Sequence, residues 1–289
     1  MVGQMEKYGK VFKTIRESKN MSLKEVAGDF VTPAQLSRFE NGKSNLSVDT
    51  FFKCLQRMDV LQGEFSTFYN MYYQSEDVRV SIDLHKALQA RNNRYFEQKI
   101  KEFQKKFESE GRKSDRVLIA VFHVMLNKCN SDKKIPEVEK TVIADYLLSI
   151  DEWCFYEIWI LGNCVRCLSS QTINVLCSEL ISRTQFYHGI KENVRRIYGV
   201  LLAAVGILLD RGEERLAAKL IRSIESLGIF EDDLFERLQM TFYKAQLKYL
   251  QGDLEGLVTM KKLLEMSQLL ECYNLSQQIE DTVSKLTDM

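Results

Sequence analysis

The stretch from Ser22 to Lys43, SLKEVAGDFVTPAQLSRFENGK, constrains the fold most, because it predicts two short helices joined by a tight turn. Ser22 can cap the first helix, with Glu25 completing a capping box. Thr32 precedes the second helix, whose first position suits a proline because the missing N–H costs nothing there. Two helices this short need a surrounding domain. Such a pair is typical of a helix-turn-helix that places its second helix in the DNA major groove.

The composition favours helices throughout, and the N-terminal end of the chain carries an excess of positive charge. The 289 residues include only 2 Pro and 14 Gly, so few helix breakers occur. Net charge is +0, but residues 1–60 hold 10 Lys and Arg against 7 Asp and Glu, which suits a small DNA-binding head. Seven cysteines without framework spacing indicate free thiols in a reducing cytosol. The longest apolar run, Val200 to Leu209, is too short for a bilayer, so we expect a cytoplasmic protein without membrane contact.

The apolar periodicity predicts an all-α chain of two parts. Residues 5–70 predict a five-helix head, in which Ser47 caps the fourth helix and Phe51, Phe52, Leu55 and Met58 turn inward. From residue 77 to 289 we expect about eleven helices with short polar joints, and similar runs return about every 35 to 40 residues. That spacing indicates tetratricopeptide-like helix pairs stacked into a right-handed superhelix. Its concave side would bind extended peptides.

The head resembles the phage-repressor (Xre) class of helix-turn-helix domains. The resemblance rests on IRESKNMSLKEVA followed, after the turn, by TPAQLSRFENGKSNLSVDTF. It implies that the second helix reads base edges, where Arg38 suits guanine and Gln35 suits adenine. Pro33 departs from the long polar residue often found in that class. The DNA-contacting residues that the resemblance implies, phosphate contacts included, are Thr32, Pro33, Ala34, Gln35, Ser37, Arg38, Asn41 and Lys43.

Arg16 is open to two interpretations. It could contact a DNA phosphate. In the class that the head resembles, however, the matching arginine pairs with the glutamate that matches Glu40 and ties the first helix to the third. The resemblance therefore favours a structural role for Arg16 and Glu40.

The whole chain resembles the Rgg family of regulators from Gram-positive bacteria. A repressor-type head on a helical-repeat body of this length carries the resemblance. It implies a homodimer that binds two operator half-sites on double-stranded DNA, controlled by a short hydrophobic signalling peptide. It also implies that asparagine and arginine side chains on inner helices hold the peptide backbone and its carboxylate.

Asn163 and Arg166 fit that role best, because they lie three residues apart on one face of an otherwise apolar helix, WCFYEIWILGNCVRCL. An unpaired arginine buried there would be costly, so Arg166 should face a cavity or an acidic partner. The secondary candidates are Arg79, Arg195, Tyr198 and Gln246. For all six, an ion pair or capping contact between helices is the competing interpretation.

The main prediction is therefore a peptide-controlled transcription regulator. Two alternatives remain: a helical scaffold for protein partners, and a helix-turn-helix regulator that senses a non-peptide ligand. An enzyme is not expected, because no nucleophile elbow or phosphate-binding glycine loop occurs. Cys164 and Cys167 form a single CxxC without a second pair or nearby histidine, so neither a metal nor another cofactor is predicted.

Overall fold

The structure is a computed structural model that describes residues 4–73, 76–184 and 191–287. Within these ranges it contains sixteen α-helices and one 3₁₀ turn. The chain divides into two units, Met1–Ala90 and Arg91–Met289. None of the helices in the described ranges combines the length and apolarity that crossing a bilayer would need.

In its described residues, the first unit contains six helices. They are α1 (Gln4–Ser18), α2 (Leu23–Ala27), α3 (Pro33–Glu40), α4 (Val48–Arg57), α5 (Gln62–Tyr73) and α6 (Glu76–Gln89). Helices α1–α5 correspond to the five predicted for residues 5–70. The unit continues through α6 to Ala90, and the functional boundary between residues 70 and 77 stays a prediction.

The core of the first unit combines one face from each of several helices. Helix α1 contributes Phe12, whose ring meets that of Phe39 from α3 edge-on at 5.5 Å between centroids. On α4, Cys54, Leu55 and Met58 are buried, whereas Phe52, which we predicted to turn inward, is exposed. The helical period explains the difference, because Cys54, Leu55 and Met58 share a face and Phe52 lies about 100° away from it.

Helices α1 and α3 approach so closely that the contact point has no room for a side chain. Gly9 of α1 faces the C-terminal turn of α3, and a Cβ at this position would lie 2.1 Å from the carbonyl oxygen of Phe39. The obstructing atom is backbone, so it cannot rotate away. This contact fixes the distance between the first helix of the head and its candidate reading helix.

The second unit contains ten α-helices in its described residues. They are α7 (Asn93–Glu110), α8 (Lys113–Cys129), α9 (Glu137–Leu148), α10 (Phe155–Cys164), α11 (Ser170–Arg183), α12 (Lys191–Asp210), α13 (Glu214–Leu227), α14 (Leu234–Leu250), α15 (Glu255–Leu269) and α16 (Tyr273–Thr287). The 3₁₀ turn Val165–Cys167 follows α10 directly. With α6, the described residues give the eleven helices predicted from residue 77 onward.

The helices of the second unit pack in two alternating rows. Helix α10 packs against α8 and α12, and α12 packs against α14, while α11 packs against α9 and α13 in the other row. Helices α8 and α12 are apolar on several faces, since each is covered by neighbours on both sides. The last helices continue the stack, because α15 packs against both α14 and α16. An all-helical fold with a helix-turn-helix head and a helical-repeat body is thus confirmed.

We predict that Gly9→Ala destabilises the head by about 1–3 kcal/mol, because the added methyl overpacks against an immobile backbone atom. Gly63→Ala is the matched control, since a Cβ there meets nothing within 4 Å and should be neutral or slightly stabilising. Hydrogen exchange of the α3 amides, measured by mass spectrometry on the full chain, reports the local opening free energy. Equal exchange in both variants would show that α1 and α3 can separate freely.

Candidate functional site

Helix α3 is built to present one face outward. The Thr32 hydroxyl accepts a hydrogen bond from the Gln35 backbone N–H at 3.1 Å, and Pro33 takes the first helical position. Leu36 and Phe39 are buried in the head core. The same period that buries these two leaves the opposite side of α3 in solvent.

The outward face carries the predicted base-reading residues. Ala34, Gln35 and Arg38 are exposed, as are Thr32 and Pro33 at the start of the helix. Within the described residues, the side chains of Gln35 and Arg38 have no hydrogen-bond or ion-pair partner in the protein. Their amide and guanidinium groups are therefore available to an external partner, and the helix is short enough for all of them to reach one surface.

Arg16 and Glu40 form a buried ion pair. The guanidinium donates from Nε to Glu40 Oε1 at 2.6 Å and from the Nη2 nitrogen to Oε2 at 2.9 Å, a two-point contact. A third donor reaches the carbonyl of Met21 at 2.7 Å. Glu40 is only 3% exposed, and its hydrogen bond is the first cause of the raised pKa of Arg16. Arg16 thus joins α1 to α3 and has its donors engaged inside the head.

The C-terminus of α3 ends in a Schellman motif. The Lys43 N–H donates to the carbonyl of Arg38 at 2.8 Å, and Gly42 at φ 68° donates to that of Phe39. The Asn41 amide donates to the carbonyl of Ser37 at 2.7 Å, so one of its two amide protons completes the helix end. Asn41 and the Lys43 side chain are exposed and Ser37 is half-buried, which leaves phosphate contact open to all three.

The second unit contains a groove of 460 Å³ that five alternate helices line. They are α8, α10, α12, α14 and α16, with the 3₁₀ turn between α10 and α11. We call it the central groove. On α14 the lining residues Gln239, Tyr243 and Gln246 follow the spacing of one helix face, and α12 and α16 show the same spacing. Its size falls in the range of small-ligand sites.

The central groove brings together three of the predicted peptide-binding residues: Asn163, Arg166 and Gln246. Gln246 is 6% exposed, and no protein group in the described residues hydrogen-bonds to its amide. Asn163 donates to the carbonyl of Trp159 at 2.9 Å and keeps its amide oxygen for another partner. Arg166, which we predicted on the same helix as Asn163, lies instead on the 3₁₀ turn, because α10 ends at Cys164. Its side chain is exposed, and its backbone carbonyl accepts a hydrogen bond from Arg211 at 2.7 Å.

Arg195 and Tyr198 have structural partners elsewhere and do not line the central groove. Arg195 donates to Asp233 at 2.7 Å, and that carboxylate is 1% exposed. The buried Tyr198 hydroxyl donates to the carbonyl of Gly228 at 2.6 Å. These contacts connect α12 to the segment before α14, which is the competing interpretation given above. The side chain of Arg79, on α6, lies outside the described residues.

The groove also contains residues that sequence reasoning missed. Gln239, Tyr243 and Gln278 line it, and the Gln278 amide donates to the Tyr243 hydroxyl at 3.0 Å. Burial raises the pKa of Tyr243, so its hydroxyl stays protonated near neutral pH. One sequence pattern could have identified Gln239: it lies seven residues before Gln246, and this spacing places both amides on the same face of α14.

Glycines on α12 keep the groove open. A Cβ at Gly199 would meet nothing within 4 Å, whereas one at Gly206 would lie 2.7 Å from the Tyr243 hydroxyl. A bound molecule can therefore approach the α12 backbone directly, because no side chain covers it at Gly199.

An apolar extension of 320 Å³ adjoins the central groove and shares four of its lining residues, including Asn163 and Gly199. Phe155, Ile158 and Trp159 form its apolar wall. Arg196 covers the Phe155 ring at 4.7 Å from its centroid. Together the two concavities present hydrogen-bonding side chains and an apolar surface to a bound molecule.

The cysteine pair lies at the end of α10. The Cys167 thiol donates to the Cys164 carbonyl at 3.0 Å, and burial raises the pKa of both thiols. Thiols in this environment are poor nucleophiles and poor metal ligands, since both roles need the thiolate. In the part of the chain that the structure describes, no three His, Cys, Asp or Glu side chains group in a way that suits a metal ion.

A helix-turn-helix head followed by a helical-repeat body defines a transcription regulator of the helix-turn-helix type rather than an enzyme. Comparison with protein families agrees: the C-terminal domain of the HTH-type transcriptional regulator Rgg matches residues 87–281, and a helix-turn-helix family matches residues 12–60. The chain belongs to the Rgg family.

Solved structures share the fold. The SHP pheromone receptor Rgg2 of Streptococcus dysgalactiae superposes with a TM-score of 0.84 at 22% identity, covering 96% of this chain and 99% of that one. A putative transcriptional regulator from Listeria monocytogenes EGD-e gives 0.83 at 17% identity, covering 99% and 98%. The PrgX/cCF10 complex gives 0.72 at 14% identity, covering 98% and 93%.

We predict that Arg16→Met destabilises the head by about 3–5 kcal/mol, because it leaves the Glu40 carboxylate buried without its partner. The double variant Arg16→Met with Glu40→Leu should recover a large part of that loss, since both buried charges are then gone. Differential scanning calorimetry of the full chain measures both changes. A single variant as stable as the parent would mean that the pair contributes nothing to the head.

Proposed function

We propose that this protein is a DNA-binding transcription regulator whose activity a short hydrophobic peptide controls from the central groove. The observation that carries the proposal is the row of amide and hydroxyl side chains along the groove, next to an apolar extension. Helix α3 reads the operator, and the second unit senses the peptide.

The free polar face of α3 supports DNA reading. Arg38 can donate two hydrogen bonds to guanine, and Gln35 can pair with adenine in the same groove. Ala34 offers a methyl contact, and Pro33 at the helix start offers no donor. Thr32, Ser37, Asn41 and Lys43 flank this face and suit phosphates, which position the helix without reading sequence.

The chemistry of the groove supports a peptide as the ligand. Asn163, Gln239 and Gln246 each carry an amide that can donate to a peptide carbonyl and accept from a peptide N–H. Gln246 is only 6% exposed and has no protein partner in the described residues, so its amide is available to a molecule in the groove. Arg166 suits the terminal carboxylate, and Phe155, Ile158 and Trp159 suit apolar side chains. Rgg2 and PrgX, which share the fold, are a pheromone receptor and the protein of the PrgX/cCF10 complex.

Control follows from linkage between the two sites. A peptide that binds one arrangement of the regulator more tightly shifts the population toward it, and DNA affinity changes by the same coupling free energy. This mechanism serves an activator and a repressor equally well.

The proposed working form is a homodimer that binds two half-sites. Helix α15 and the residue that precedes it support this, because they expose four large apolar side chains on a face that also carries charged residues: Leu254, Val258, Met266 and Leu269. Exposed apolar surface is common at protein contacts. Two-fold symmetry in the protein would appear as two-fold symmetry in the operator.

Arg38→Ala and Gln35→Ala should each weaken specific binding by about 1–3 kcal/mol, because each removes a base contact. Operators can be selected from random duplexes with the parent protein, and the selected sequences should contain an inverted repeat. Lys43→Ala should weaken binding to all duplexes alike. It should also reduce the steepness of log K against log salt concentration by about one, as expected for a phosphate contact.

Lys13→Ala is the control for the DNA experiment, because it removes an exposed positive charge from α1 without touching α3. It should leave the ratio of operator to random-duplex affinity unchanged. If Arg38→Ala and Gln35→Ala also keep the parental ratio, α3 is not the reading helix. If the parent retards no DNA at low salt, the scaffold alternative is favoured instead.

Gly199→Leu should block the central groove without harming the fold. The new side chain starts in open space and improves helix propensity, so thermal stability should not fall. Peptide affinity should fall by about tenfold or more, equivalent to about 1.4 kcal/mol. Fluorescence polarisation with labelled short apolar peptides, first screened on the parent protein, measures the change.

Gln246→Ala and Asn163→Ala should each weaken the binding of the same peptides by about 0.5–1.5 kcal/mol, because each removes hydrogen bonds. Gln268→Ala is the matched control, because it removes an exposed amide from α15, outside the groove. Equal affinities in Gly199→Leu and the parent would place the peptide elsewhere. A parent that binds small metabolites but no peptide would favour the alternative of a non-peptide ligand.

A further inference from the structure

A second concavity of 410 Å³ adjoins the central groove and shares Lys128 and Arg166 with it. It lies between the end of α8, the loop that joins α8 to α9, the start of α9 and the 3₁₀ turn. Four cationic side chains line it: Lys128, Lys134, Lys140 and Arg166. We call it the basic pocket. Lys134, Ile135 and Lys140 line the basic pocket and not the central groove, so the pocket offers contacts that the proposed peptide site does not use.

Most of the positive charge in the basic pocket is uncompensated. Its one carboxylate, Glu137, lies 2.6 Å from the ammonium of Lys140 and neutralises that residue. Lys128, Lys134 and Arg166 have no acidic group within 4.0 Å among the described residues. Three unpaired cations facing one concavity repel one another, so the pocket attracts an anion.

The surrounding groups strengthen this preference at Lys128, although its side chain is exposed to solvent at the mouth of the pocket. Desolvation by the surrounding protein lowers the pKa of Lys128, and the positive charge of Arg166 lowers it as well. Both effects oppose the charged form of the lysine. A bound anion would oppose them, because its negative charge favours the charged form of the lysine.

The backbone that carries these cations is fixed. The Asn127 side chain donates to the carbonyls of Ser131 at 3.4 Å and Lys133 at 3.0 Å, which holds the loop next to Lys134. Arg211 donates to the carbonyls of Arg166 and Leu168, which holds the 3₁₀ turn. The cationic side chains thus extend from a fixed backbone, which lowers the ordering cost of binding.

The floor of the basic pocket is apolar. Val124 is buried and Ile135 is half-buried, and the Cys167 thiol, which also lines the pocket, is uncharged because burial raises its pKa. A bare inorganic ion would leave this surface uncovered. A molecule with an apolar body and one anionic group would satisfy both parts.

We propose that the basic pocket binds a small amphipathic oxyanion, which carries a carboxylate or phosphate group toward Lys128, Lys134 and Arg166 and rests its apolar part on Val124 and Ile135. Arg166 lines both this pocket and the central groove. An occupant of the pocket therefore changes what Arg166 offers to a ligand in the groove, and linkage makes the effect reciprocal.

Calorimetric titration of the full-length protein with phenyl phosphate and with benzoate tests the site. Both probes should bind, and benzyl alcohol, which lacks the charge, should not. Lys128→Gln and Lys134→Ala should each weaken binding about tenfold or more, because each removes a charge-assisted hydrogen bond. Lys133→Ala is the matched control, since its ammonium lies 3.0 Å from Glu97 and does not line the pocket.

Two results would overturn the proposal: no binding of either probe at millimolar concentration, or equal weakening in Lys133→Ala and Lys134→Ala. Unchanged thermal stability of the lysine variants shows that the fold is intact. Since the probes bind without any peptide, this test stands even if the proposed peptide function fails.

The oxyanion could be a free small molecule or an acidic group of a peptide in the groove. A second arm, which rests on the proposed function, distinguishes these sources by displacement of labelled peptides. Phenyl phosphate should displace peptides that carry an acidic side chain or a free C-terminal carboxylate, and not C-terminally amidated peptides without acidic side chains, if the peptide supplies the anion. It should bind alongside every peptide, with affinities shifted through Arg166, if the anion is free. Displacement that persists in Lys134→Ala would contradict the site.

Discussion

Helices of fewer than about fifteen residues do not hold together in water by themselves, and most helices here are of that length or close to it. Each must bury an apolar face against a neighbour. In the second unit, the neighbours follow one another in two rows, so an inner helix such as α12 is covered by α10 and α14 on its flanks and by α11 and α13 behind. Its remaining face has no helix to cover it. The central groove is the sum of those remaining faces.

The same constraint acts differently in the head. There, α2 and α3 are too short to bury much surface, and two specific contacts compensate. The backbone contact at Gly9 sets the distance between α1 and α3, and the Arg16–Glu40 pair joins the two helices chemically. With its inner face and both ends held, α3 can leave Gln35 and Arg38 unsupported in solvent. A rigid frame for exposed polar groups lowers the ordering cost of binding.

Some polar side chains of the second unit are buried and still do not pack against a neighbouring helix. Gln246 and Tyr243 are buried, yet they face the central groove instead of a neighbouring helix. The apolar positions of α14 are used for packing on α12 and α15, which leaves the amide face for the groove. Arg195 shows the opposite outcome, because the buried carboxylate of Asp233 holds it in a structural contact. The residue type therefore predicts which hydrogen bonds a side chain can form. It does not predict which group of the folded protein becomes the partner.

The helices, their caps and the outward face of α3 follow from the amino-acid sequence, because they depend on contacts within a few residues along the chain. Ser22, Thr32 and Ser47 cap helices as their local patterns predict, and the joints of the second unit fall near the predicted turns. Which helices lie side by side depends on contacts between residues far apart in the chain. Gln239, Gln278 and Lys128 are far apart in sequence, and periodicity defines each helix's faces without naming the neighbour that each face meets. The groove and the basic pocket exist only in that arrangement.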